Sequence, residues 1–158
     1  EIQAKHLLFN EDIDLVYGDC LQTIKINENY ECNSSNGVLY EHSKNKFSKE
    51  NMIKCLPGPM PMWRRKIHEE VGYFSIKYNF ANDWEMWLRI VNNGSSFLKI
   101  NEILGLYLMN EKGISTSKDT FSKKIKEEAE LFFKYKEIFG STNFNKFKNY
   151  FSQGLQNE

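Results

Sequence analysis

Apolar and polar residues alternate with two different periods along this chain. Residues 2–9 carry Ile2, Ala4, Leu7 and Leu8 in helical order. Asp14 to Gly18 is a short β-branched and aromatic run that reads as a strand closed by Gly18. Leu21 to Ile26 alternates apolar with polar, the period of a strand with one buried face. Ser48, ahead of Glu50 to Ile53, is a candidate N-cap for a short helix. Lys66 to Val71 reads as a helix stopped by Gly72. The clearest helix runs from Asn82 to Val91: Trp84, Trp87, Leu88 and Val91 share one face, Asn82 or Asp83 can cap its start, and Gly94 can end it. Phe97 to Ile100 and Ile103 to Leu108 read as two strands around Asn101 and Glu102. A longer helix over Thr120–Phe139 repeats Phe121, Ile125, Phe132, Tyr135 and Phe139. Gly140 to Asn143 breaks it before a short amphipathic helix with Phe144, Phe147, Tyr150 and Phe151.

Strands interleaved with short helices predict an α/β fold: a short mixed sheet with flanking helices, followed by C-terminal helices. The strands are too few, and a Gly-rich strand-to-helix turn is missing, for a complete nucleotide-binding unit. Asn- and Lys-rich stretches, such as Asn33 to Gly37 and Ser43 to Lys46, read as surface loops.

Composition narrows the function classes. Of 158 residues, 41% are hydrophobic and 15% aromatic, which is enough for a packed core. Lys and Arg total 21 and balance 21 Asp and Glu, so a nucleic-acid partner is not expected. No apolar run approaches the roughly 20 residues of a bilayer span. Three cysteines without a CxxC pair argue against a disulfide scaffold and a zinc ribbon. His6, His42 and His68 lack metal-ligand spacing.

Two segments carry candidate chemistry. All three prolines, Pro57, Pro59 and Pro61, fall between Cys55 and Met62. They make a stiff loop that costs little to order around a ligand, although such loops also serve architecture alone. Trp63, Arg64 and Arg65 follow it. Arg suits pyrophosphate and Trp suits stacking on a sugar or base; equally, Trp63 can be core, with the arginines paired to Glu69 or Glu70. Asp83 and Glu85 lie in the first turn of the Trp-rich helix. Free N–H groups there stabilise a carboxylate that can take a proton from a hydroxyl, or simply cap the helix.

Several ordered blocks resemble one family. They are Gly58 to Arg65 (GPMPMWRR), His68 to Phe74 (HEEVGYF), Asn82 to Arg89 (NDWEMWLR), Phe97 to Ile100 (FLKI), Leu104 to Tyr107 (LGLY) and Gly113 to Thr116 (GIST). Together they look like the C-terminal, acceptor-side half of a family 2 glycosyltransferase of the GT-A fold. Asp12 to Asp19 (DIDLVYGD) looks like the strand after that family's metal-binding segment. The resemblance covers residues 1–118 and leaves 119–158 as a helical extension.

The resemblance implies an enzyme that transfers a sugar from a nucleotide-sugar donor to a glycan or lipid-linked acceptor with inversion, Asp83 being the catalytic base. Asn82 stands where the family has a preceding acid. Gly58, Pro59, Met60 and Trp63 match the wall near the donor and acceptor sugars; Arg64 and Glu85 are the further candidate substrate-binding residues. A divalent cation, Mn or Mg, is implied for a longer parent, with none firmly held by this chain. The Asp-x-Asp motif and nucleotide-binding half would precede Glu1, and Asn110 stands where some members have a His. The chain therefore reads as an excised piece, inactive alone; a processed N-terminus is the alternative. The implied location is cytoplasmic, extending to the inner face of the membrane. The rival readings are a non-catalytic glycan- or protein-binding module, and an assembly module that self-associates through its C-terminal helices. Exposure of Phe144, Phe147 and Phe151 would favour the latter.

Overall fold

A computed structural model describes residues 1–114 and 117–156. Ser115 and Thr116, half of the Gly113 to Thr116 block, lie outside them. The chain is α/β, with a three-stranded mixed sheet in the order β2-β1-β3. Helix α1 (Ile2–Phe9) leads into β1 (Leu15–Thr23), whose Leu15, Val16, Tyr17, Cys20 and Leu21 are all buried. β2 (Met62–Trp63) pairs antiparallel to β1, Leu15 facing Trp63. β3 (Phe97–Leu108) runs parallel to β1, from Leu15 opposite Phe97 to Thr23 opposite Leu108.

Gly18 does not close a strand; β1 passes through it. Tyr17 faces Lys99 but Asp19 faces Ile103, so β3 bulges at this point. A Cβ on Gly18 would stand 2.7 Å from the Glu102 carbonyl oxygen, and only glycine admits that approach. The same bulge explains Asn101 and Glu102, which interrupt the pattern of β3 without dividing it. β1 stops at Thr23 rather than Ile26. The Thr23 hydroxyl bonds the Glu28 carboxylate, the chain turns at Asn27 with φ 56°, and Ile24 and Ile26 are exposed.

Between β1 and β2, a 3₁₀ turn at Glu50–Ile53 begins after Ser48, whose hydroxyl accepts the Asn51 N–H at 3.1 Å. Helix α2 (Ile67–Val71) ends at Gly72, φ 81°, where the left-handed backbone favours glycine. Helix α3 (Asn82–Asn92) is the centre of the molecule. Met86 and Ile90 are buried along with Trp84, Trp87, Leu88 and Val91, so it is covered on more than the single predicted face. Neither Asn82 nor Asp83 caps it through its side chain. The N–H groups leading into it, of Asn79, Phe80 and Ala81, donate instead to Glu127 at 2.7–3.0 Å.

Glu127 belongs to α4 (Phe121–Lys134), which is followed by α5 (Lys136–Gln156). A first break falls at Tyr135, and Gly140, with φ 69° and ψ 160°, interrupts the helical backbone again inside α5, where the sequence pattern places a break. Phe132, fully buried, stacks on Phe139, Phe144 and Phe151 with ring centres 5.5, 5.2 and 4.4 Å away. Trp84 stacks on Phe139 and Phe151, so α4 and α5 share one core with α3. Phe151 is buried and Phe144 and Phe147 pack on that core, so this aromatic face is spent within the chain. Phe121, predicted on it, is 57% exposed. Among the described residues, no helix is long and apolar enough to cross a membrane.

Candidate functional site

A cavity of about 390 Å³ lies where the start of α3, the proline loop, residues 40–42, the ends of β1 and β3, and α4 meet. The loop owes its shape to a turn in which Gly58 N–H bonds the Cys55 carbonyl at 3.0 Å, with Leu56 buried beneath. Gly58 has φ 77°, and a Cβ there would sit 3.0 Å from the Ser43 Cβ. Gly58 and Pro59 thus form one wall.

Asp83 opens onto the same cavity from the first turn of α3 and remains exposed to solvent. Its Oδ1 accepts the Trp84 N–H at 2.7 Å, and the Cys55 thiol donates to Oδ2 at 3.5 Å. Burial, then the neighbouring Asp83 carboxylate, pushes the Cys55 thiol well above its ordinary range, so it stays a donor. Tyr107, Tyr40 and His42 form an aromatic row, with centroid separations of 4.3 and 5.2 Å. Burial, reinforced by the Lys124 charge, holds the His42 imidazole below its usual range. Glu128, with Lys124 one turn earlier on α4, completes the lining; burial raises its carboxyl against the opposing pull of Lys124.

Of the residues singled out in the sequence, Asp83, Gly58 and Pro59 come together here, and the others lie elsewhere. Met60 packs under Gly105, and its carbonyl accepts from Gln3 at 2.7 Å. Trp63 donates to His68 at 3.1 Å and meets Trp87 edge-on at 5.2 Å, as part of the core packing. Arg64 is spent on the carbonyls of Leu7, Asn10 and Ile13, which ties α1 to β2 and leaves no fork for a pyrophosphate.

Glu85 is a correction as well. It is buried, accepts from Arg89 at 2.9 Å and from the Tyr135 hydroxyl at 3.2 Å, and joins α3 to the C-terminal helices. Glu85→Gln is therefore expected to cost about 2 kcal/mol of stability, the scale of hydrogen bonds to a charged group. Urea denaturation would register the loss, and ligand affinity measured below the transition would stay level.

Sequence reasoning missed Gln22, Tyr40, His42, Lys124 and Glu128. Tyr107 lay inside a recognised block without a role. Gln22 lies in β1, and the rest come from a loop and a tail with no motif. Among the described residues, no three His, Cys, Asp or Glu side chains converge as a metal centre needs, so the implied cation has no donor set here. No family model, no curated protein and no solved structure matches the chain.

Proposed function

We propose that this chain is the acceptor-side half of an inverting sugar transferase, with Asp83 as general base. The observation that carries the reading is the meeting of Asp83, at the solvent-open start of α3, with the stiff Gly58–Pro59 wall around one cavity. A base must reach its proton by a hydrogen bond, and it must be free to do so. Among the described residues, Asp83 is engaged only by a backbone N–H and a thiol.

In the transfer, the acceptor oxygen attacks the anomeric carbon as Asp83 takes its proton. The bond to the nucleotide diphosphate breaks on the opposite face, and its electron pair leaves with the diphosphate. The Trp84 N–H holds one carboxylate oxygen in place, and the Cys55 S–H steadies the other until it turns to the acceptor. A divalent cation, when bound, would offset the diphosphate charge.

The test is product stereochemistry in the longer protein that this reading requires, supplied with a panel of nucleotide-sugars. Transfer with an inverted anomeric centre, read by NMR, is the expected result. Retention would exclude a single displacement with Asp83 as its base, and no transfer from any donor would leave a binding module without catalysis.

A further inference from the structure

One wall of the cavity is unused by this chemistry. Lys124 and Glu128 reach it from α4, which no motif of the sequence marked. Their side chains are 28% and 24% exposed, and Nζ lies 3.7 Å from Oε1. That is too long for a hydrogen bond, and a loose pair of this kind adds little to a helix. Burial, with the charges of Asp83 and Glu127, raises the Glu128 carboxyl against the pull of Lys124. A carboxyl in such surroundings on a cavity wall is the kind of group that ligand sites use.

The rest of the lining defines what that carboxyl would meet. Tyr40 and Tyr107 bring two aromatic rings to the same cavity, and Gln22 adds an amide. Glu41 is paired with Lys44 and Lys54, so among the described lining residues Asp83 and Glu128 face the ammonium of Lys124, and an anionic ligand meets no excess of positive charge. Polar groups among ring faces disfavour an acyl chain. An uncharged ring with C–H faces for the tyrosines and hydroxyls for Glu128 and Gln22 satisfies both.

We propose that Glu128, steadied by Lys124, is a ligand-positioning residue that hydrogen-bonds a hydroxyl of a saccharide ring lying against Tyr40 and Tyr107. This rests on the transfer reading for one point, that the bound saccharide is the acceptor from which Asp83 takes a proton. Equilibrium binding tests it without any turnover.

The probes are the methyl glycosides of glucose, galactose, mannose and N-acetylglucosamine, titrated onto the intact chain. Trp84 fluorescence, from a residue that lines the cavity, and ligand-observed NMR report binding; sorbitol is the open-chain control. At least one glycoside should saturate, with sorbitol at least tenfold weaker. Glu128→Ala should weaken that glycoside tenfold or more, and Glu128→Gln, which keeps a planar acceptor, by less. Both variants should fold. The folded-state carboxyl sits above its unfolded range, so the native state gives up its proton reluctantly. Stability from this group falls as pH rises through the raised value, and a neutral side chain removes that loss. Melting at pH 7.5 should therefore match or exceed wild type. Failure of all four glycosides, equal binding of sorbitol, or a Glu128→Ala affinity within twofold of wild type would each overturn the proposal. No transfer from any donor would overturn the transfer reading alone, retained product configuration would overturn inversion alone, and either would leave saccharide binding standing.

Discussion

Asp83→Asn is expected to lower sugar transfer by about 10²–10⁴-fold in the longer protein, the range that general-base catalysis supplies. Asn is nearly isosteric with Asp, and its carbonyl oxygen can still accept the Trp84 N–H that Oδ1 accepts now. The Cys55 thiol loses an acceptor but gains an amide donor to its sulfur. No side-chain cap of α3 is lost, because Asp83 provides none. Melting should therefore stay within about 0.5 kcal/mol of wild type. An amide cannot take the acceptor's proton, so kcat should fall while the KM for the nucleotide-sugar holds. The contrasting case is an Asp83 that only orders the first turn of its helix, where Asn serves as well. Turnover within twofold of wild type, with an unchanged melting point, would remove Asp83 from the mechanism.

Features with local causes were legible in the sequence. The apolar face of α3, the stop at Gly72 and the proline loop each follow from neighbouring residues, and the structure holds all three. Features made by distant approach were not. Gly18 resembles a strand terminator, because a glycine placed for the bulge at Glu102 carries the same letter as one placed for a turn. The N–H groups before α3 are served by Glu127, so the nearby candidates Asn82 and Asp83 misled the reading.

The site divides the same way. Asp83 and the Gly58–Pro59 wall could be found because one short segment places each. Lys124 and Glu128 could not, since only the docking of α4 brings them to the cavity. Trp63 and Arg64 were ambiguous for another reason. An indole that can stack on a ligand can also fill a core, and a guanidinium that can hold phosphate can also bind three carbonyls.

Phe132→Ala should destabilise the whole chain by about 3–5 kcal/mol, the cost of truncating a buried aromatic. Phe132 is fully buried, and three of its neighbours, Phe139, Phe144 and Phe151, are rings that cannot collapse into the space it leaves. Against a total stability of about 5–15 kcal/mol, that loss is large. Urea denaturation followed by Trp fluorescence should show one transition at a lower midpoint with its slope unchanged. Trp84 stacks on Phe139 and Phe151, so the signal from α3 reports directly on the C-terminal helices. Phe121→Ala is the matched control: that ring is 57% exposed, and the change should stay within about 0.5 kcal/mol. An independently folded helical extension would behave differently, with Phe132→Ala splitting the transition and sparing the body. Because α4 also carries Glu127 to the start of α3 and Glu128 to the cavity, a softened core should loosen the site before the chain unfolds. Amide exchange at Phe80 and Ala81, whose N–H groups Glu127 holds, should accelerate in Phe132→Ala at denaturant levels where wild type remains protected. Unchanged exchange there, with a midpoint shift worth less than about 1 kcal/mol, would show that the C-terminal helices do not share the core of α3.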